Sequence, residues 1–433
     1  MANPNEQAAQ SPKTSKVIIA VNTSDGVGYF ADSEGNKLFN KQFEKVWKFS
    51  EGLAEVKQNG KCGFINTQGE VVVPCIYDDA GRFHEDFSEG LAAVQQNDKW
   101  GFINPKGEVI APCIYDRAGS FSEGLARVKQ NGKYGFINTK GEIIAPCIYD
   151  WVEDFSEGLA QVKQNEKYGY INTKGEVVAP CVYDHAKGFD EGLSPVLQNE
   201  KYGFISTQGE VVIPCIYDEA WVFFEGLAEV KQNDKYGFIN PQGEVVIPCI
   251  YDYALGFSEG LAPVKQNEKY GYINTKGEVV IPCIYDYAGS FHEGLAEVEQ
   301  NEKYGYINTQ GEVIIPCIYD DAGSFLDGLA EVEQDEKCGF INTKGEVVAP
   351  CIYDYAMKFS EGLAAVKQNE KYGFINTQGE VVVPCIYDHA WDFSEGITMV
   401  KQNGKGSIIN KEIKVIVAEC DVRDTKWSRV EME

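Results

Sequence analysis

The chain has 433 residues, 43% hydrophobic and 24% charged, which is enough apolar content to bury a core. Acidic residues outnumber Lys and Arg 66 to 39, a formal charge of −27. Nucleic acid and anionic membrane surfaces are bound through clustered Lys and Arg, so neither is expected as a partner, and no apolar run approaches the ~18 residues of a membrane helix.

Residues 1–16 are polar, lack the apolar stretch of a secretory signal and read as a disordered tail. From there one theme repeats. The Gly of an aromatic-Gly pair or its equivalent recurs at 63, 101, 135, 169, 203, 237, 271, 305, 339 and 373, at intervals of 38 and then eight times 34. The extra four residues fall near Arg82 to Glu85. Repeats of 34 residues can be helical. Here, however, each carries a Val/Ile run, several Gly and a Pro, with no 3.6-residue apolar stripe. In the copy starting at Glu225, Leu227–Gln232 alternates as a strand with one solvated face, Glu229 and Lys231 pointing outward. Asn233-Asp234 is a tight turn, Lys235–Asn240 a second strand, and Asn240–Gly243 a turn ending in a left-handed Gly. Glu244–Tyr251 is a third strand, apolar on both faces and expected to be covered on both. Its Pro248 marks an edge, a bulge or a strand end. Asp252–Phe257 connects to the next copy, with room for a short fourth strand.

So small a sheet needs neighbours. The expectation is an all-β, open and curved or superhelical stack of three-stranded antiparallel meanders, with a closed propeller-like ring as the alternative. A single array spans 17–420, with a degenerate first copy at 17–52, regular copies at 53–396 and a degenerate last copy at 397–420. The two divergent copies are read as end caps, and 421–433 as a C-terminal tail.

At Lys99-Trp100-Gly101-Phe102-Ile103-Asn104 the sequence resembles the bacterial WG-repeat family, built on a Lys-Trp-Gly-Tyr/Phe-Ile-Asp/Asn core, and the resemblance runs from 17 to 420. Trp fills its slot only at 100; Tyr does so at 134, 168, 202, 236, 270, 304 and 372, and Cys at 62 and 338. The resemblance implies a β-rich repeat architecture and leaves function undefined.

No catalytic constellation, cofactor or metal set is expected. The four His (84, 185, 292, 389) sit in connectors at differing offsets, and the Cys after each Pro (75, 113, 147, 181, 215, 249, 283, 317, 351, 385) reads as a packing column without a recurring second ligand. The Asp of each Tyr-Asp pair is expected to bond the connector backbone rather than a cation. With ten of thirteen Cys in one slot and no secretory signal, reduced thiols in a cytoplasm are expected; export without a cleaved signal would escape this argument. Function is sought where the copies differ. The residue after Tyr-Asp runs Asp79, Arg117, Trp151, His185, Glu219, Tyr253, Tyr287, Asp321, Tyr355, His389. Trp151, Trp221, Tyr253, Tyr287, Tyr355 and Trp391 are candidate anchors for a partner. Segment 271–338 alone carries −11, and Glu297, Glu299, Glu331, Glu333, Asp335 and Glu336 are expected to form an acidic docking face for a basic partner. The reading is a non-enzymatic scaffold that binds another protein. A glycan-binding or surface-adhesion module and a structural protein self-assembling end to end are the alternatives.

Overall fold

The structure is a computed structural model describing residues 14–81 and 89–432. The insertion near Arg82–Glu85, with His84, lies outside the described residues. These residues form eleven four-stranded antiparallel sheets and one three-stranded sheet. One sheet runs Glu219–Phe224, Leu227–Gln232, Lys235–Ile239, Val245–Tyr251, in spatial order. The connector is thus the first strand of the following sheet. In most copies it is only two residues long, as at Tyr253–Ala254, which pairs with Lys265 and Val264.

Turn chemistry explains the hairpins. Asn233 and Asp234 both sit at positive φ (53° and 60°), the left-handed pair of a two-residue turn. In the next loop, Asn240 Oδ1 accepts the amides of Gln242 and Glu244, and Gly243 takes φ 80°.

The last strand departs from the expected alternation. Tyr236 pairs with Tyr251 but Phe238 pairs with Ile247, so four residues span two and the strand bulges at Pro248-Cys249. Gly237 lies beneath this bulge: a Cβ there would meet the Ile247 carbonyl oxygen at 2.5 Å and the Cys249 amide nitrogen at 2.7 Å. The bulge also sends Ile247 and Cys249 to opposite neighbouring sheets. Pro248 sits at a bulge on an edge strand, two of the readings expected of it, and each face of the strand is covered only in part, since Ile247 and Cys249 pack against the sheets to either side while Val245 is 57% and Ile250 48% exposed. The central strand shows the reverse correction. Leu227, Ala228, Glu229 and Val230 are all buried, because neighbouring sheets lie on both of its faces.

The core therefore sits between consecutive sheets. Leu227, Phe238, Ile247 and Tyr251 pack against Ala254, Phe257, Ala262, Val264 and Ile273 of the next sheet. The Phe238 and Phe257 rings stand 4.9 Å apart at 61°. Each such large side chain contributes roughly 1.5–3 kcal/mol on burial, a gain an isolated sheet forgoes. Polar staples follow the same path. Asp252 pairs with Lys235 of one sheet and accepts the Asn267 amide of the next at 3.0 Å. Glu225 accepts the amide of Gly260 at 3.2 Å.

The chain forms two compact bodies, one of residues 1–121, 139–141 and 394–433, the other of 122–138 and 142–393. The first contains the strands Thr14–Asn22 and Lys426–Met432 and corrects the expected caps and tails. Thr14–Asn22 is a strand, so the N-terminal tail does not extend through 16. The segment 421–433 is not a tail, because Lys426–Met432 pairs antiparallel with that strand, which pairs on its other side with Gly28–Asp32. The physical reason is the run Ile18-Ile19-Ala20-Val21, buried throughout. Ile18 and Ala20 pack toward Val46, Phe49 and Ile65, while Ile19 and Val21 pack toward Ile397, Ile408 and Val417. A first strand apolar on both faces needs sheets on either side, which no open-ended cap provides. Strands from near the two termini thus share one sheet, in place of the two separate end caps expected. Asn22 locks the junction: its Nδ2 donates to the carbonyls of Val46 and Asp424, both at 2.8 Å, and its Oδ1 accepts the Val46 amide at 3.0 Å.

Three substitutions test this construction. Gly237→Ala forces the bulge open and should cost about 1–3 kcal/mol, seen by hydrogen exchange as lost protection across Lys235–Tyr251. Gly226→Ala, with positive φ but nothing within 4 Å of the new Cβ, should cost only about 1 kcal/mol. Asn22→Ala strands buried partners and should lower stability by about 1–3 kcal/mol, with exchange accelerated first in Thr14–Asn22 and Lys426–Met432.

Candidate interaction surface

The aromatic slot and the connector slot meet across the sheets. Lys231 stands opposite Tyr236, and Tyr253 opposite Lys265, which in turn stands opposite Tyr270. Ring centroids then run Tyr236–Tyr253 5.6 Å, Tyr253–Tyr270 6.3 Å, Tyr270–Tyr287 6.0 Å and Tyr287–Tyr304 6.1 Å. A second run links Trp151, Tyr168, His185 and Tyr202 at 6.2, 5.8 and 6.4 Å. Lys187 joins the two, its ammonium 5.9 Å from the Tyr202 ring and 5.4 Å from that of Trp221, which meets Tyr236 at 6.0 Å. The result is one aromatic ribbon, all within the second compact body. Lysines lie over several rings, as Lys163 does on Tyr168 (4.9 Å) and Lys265 on Tyr270 (5.2 Å).

Of the six expected anchors, Trp151, Trp221, Tyr253 and Tyr287 belong to this ribbon. Tyr355 is exposed (46%), with Cys338 rather than an aromatic in the slot seventeen residues before it. Trp391 joins a separate group with His389 (4.2 Å) and Tyr372. The half-buried Tyr168, Tyr202, Tyr236, Tyr270 and Tyr304 were missed as surface residues. The signal was a spacing of 17, half the repeat, which steps from 236 through 253, 270 and 287 to 304.

The ribbon stops at Asp321. There Glu299 stands opposite both Tyr287 and Tyr304, and Glu333 faces Asp321 directly. Like charges so placed repel. The expected acidic face is corrected in part. Glu297 is tucked between sheets, over Gly289, where a Cβ would lie 2.1 Å from its Oε1, and within 3.5 Å of Ser324 Oγ. Glu331 turns toward the Cys338 thiol. Burial raises the pKa of both carboxyls above the ordinary range. Glu299, Glu333, Asp335 and Glu336 stay at the surface, with Asp321 as an added member.

Other expected sites resolve structurally. None of the thirteen Cys forms a disulfide. The column after each Pro is half-buried rather than sealed, Cys249 Sγ lying 3.9 Å from the Val230 carbonyl. Asp218 accepts a backbone amide, though that of Asn233 in the following hairpin turn (2.8 Å) rather than one in the connector, and also pairs with Lys201, a partner the repeat pattern did not suggest.

The slot of Glu229 is buried in several copies and holds Glu55, Gln161, Pro195, Glu229, Pro263 or Ala365. Gln161 Nε2 donates to the Ala186 carbonyl at 2.9 Å. Burial, then the Glu219 charge, raise the Glu229 carboxyl to about 8 against the opposing pull of Lys187; Tyr236 and Tyr253 face it as well. The unfolded chain loses this proton near 4.5 and the native state near 8, so the native state binds more protons in that window and stability falls as pH rises through it. Glu229→Gln should remove this part of the slope. The variant should therefore gain on the parent by a few kcal/mol in urea unfolding between about pH 5 and about pH 8.5.

Comparison with known proteins places this architecture. WG containing repeats match at residues 30–62, 63–100, 100–134, 134–168, 168–202, 202–236, 236–270, 270–304, 304–338, 339–372 and 372–405. No curated protein matches the chain. Among solved structures it is similar to a eukaryotic initiation factor (11% identity, TM-score 0.36, 78% of this chain and 98% of that one). It is also similar to PorZ, a bacterial surface component of the type-IX secretion system of Porphyromonas gingivalis (9%, 0.23, 88% and 66%), and to the tricorn protease (9%, 0.26, 96% and 57%). At those scores the likenesses carry no argument. The repeat matches do, and the chain belongs to the family of WG containing repeat proteins.

Proposed function

We propose that the protein is a non-enzymatic scaffold that binds a basic segment of another protein along the aromatic ribbon and its acidic end. The observation that carries this reading is the join of Tyr287 and Tyr304 to Glu299, Asp321 and Glu333. Half-exposed rings there give way to carboxylates, with Asp321 exposed and Glu299 hydrogen-bonded to Tyr304, a surface suited to Arg and Lys side chains that both stack and pair. At the same register position, Lys231 and Lys265 cover the earlier rings. Replacing Lys by Glu at 299 and 333 leaves that end open to cations from outside.

The glycan reading is weaker, because ring faces along the ribbon are met by the edges of neighbouring rings and by lysines. End-to-end assembly loses its motive where both faces of the terminal sheet are covered within the first body.

The test is titration with fluorescent Arg-rich and Lys-rich peptides. Binding should weaken at least about tenfold in Glu299→Lys/Glu333→Lys and fall steeply with salt, with a smaller loss in Tyr287→Ala. Salt-insensitive sugar binding abolished by Trp151→Ala and Trp221→Ala would turn the conclusion toward the glycan reading.

A further inference from the structure

Three slots that vary from copy to copy hold an acid, a thiol and a second acid together in one copy. The aromatic slot holds Cys62 in place of Tyr. The slot seven residues earlier, on the paired strand Leu53–Gln58, holds Glu55. The slot seventeen residues later, opening the next sheet, holds Asp79. In the ribbon that seventeen-residue step is what brings Tyr236 against Tyr253; here it brings Asp79 against Cys62. One carboxylate oxygen from each acid and the Cys62 Sγ all lie within 4.8 Å of one another. Glu55 and Cys62 are each 1% exposed, and their side chains hydrogen-bond to one another.

We propose that Glu55, Cys62 and Asp79 bind a borderline-soft divalent transition-metal ion, best matched by Zn2+, with a water completing four-coordination. Two carboxylate oxygens and one thiolate are a mixed donor set that Zn2+ accepts at about 2.0–2.3 Å. Ca2+ and Mg2+ want six or more oxygens, which three such side chains do not supply. The ion takes the place of the thiol proton, which leaves to solvent. Lys57, directly opposite Cys62 in the strand pair, offsets the residual negative charge of two carboxylates and a thiolate around a dication.

The chain contains its own comparison. Cys338 and Glu331 repeat the first two donors with the same hydrogen bond, but position 355 is Tyr and Glu331 is only half-buried. Among the described residues, the three-donor cluster forms only at 55, 62 and 79.

The experiment uses the full chain, reduced and stripped of metal, titrated with Co2+ as a coloured stand-in and then displaced by Zn2+. One Co2+ per chain with a thiolate-to-metal charge-transfer band, bleached by Zn2+, is expected. Cys62→Tyr and Glu55→Ala install residues found at the same slots in other copies, so folding should survive while the band disappears. Cys338→Tyr should leave the band intact, and Asp79→Asn should weaken Zn2+ binding about tenfold or more. A band that persists in Cys62→Tyr, or no band in the parent chain, overturns the proposal.

Discussion

Each repeat turns on a glycine that has no room for a side chain. Gly237 and its counterparts lie against the peptide between Pro and Cys on the edge strand, with carbonyl oxygen and amide nitrogen already at the distance of a missing Cβ. That closeness lets the edge strand bulge. The bulge reverses the facing of Cys249 relative to Ile247, giving the sheet two packing faces where a regular strand would give one and a remainder. It also leaves Val245 and Ile250 outside. Exposed branched residues on an edge invite pairing with other chains, and the proline and bulge blunt that edge.

Because the cores lie between sheets, no repeat owns the contacts that stabilise it. This explains the polar detail repeated from copy to copy. Ten Lys–Asp pairs and a row of turn glutamates all reach into the following copy. Partly exposed pairs are individually weak, but repeated at one position they fix the register between sheets. The slots left to vary are those outside this frame, and they host both the aromatic ribbon and the Glu55–Cys62–Asp79 cluster.

Much of this was legible in the sequence for local reasons. Asn-Asp and Asn-x-x-Gly dictate their turns through backbone conformation, and Pro248 announced an edge. What eluded sequence reading depends on partners distant along the chain. Alternation in Leu227–Gln232 says which residues share a face but not that Glu229's face is covered. The connector's membership in the next sheet follows from two hydrogen-bonded residues, too few to leave a pattern. The ribbon was half seen, because its second set of rings belongs to the slot that also carries the repeat signature. The metal-type cluster has no compact motif, since its spacings of 7 and 17 acquire meaning only once sheet register is known.

The shared terminal sheet bears on how the molecule comes to be folded. Asn22 and Thr425, hydrogen-bonded partners, are 403 residues apart in the chain, whereas nearly every other pairing is made between strands a few residues apart. Bringing such distant points together from a disordered chain costs roughly 5 kcal/mol in loop entropy, so local hairpins form first and this sheet is completed late. Until then the strand Thr14–Asn22 is an apolar ribbon in search of a partner. In that interval the chain is most open to the wrong one, a neighbouring copy's Lys426–Met432, and two chains would then exchange strands rather than each close on itself.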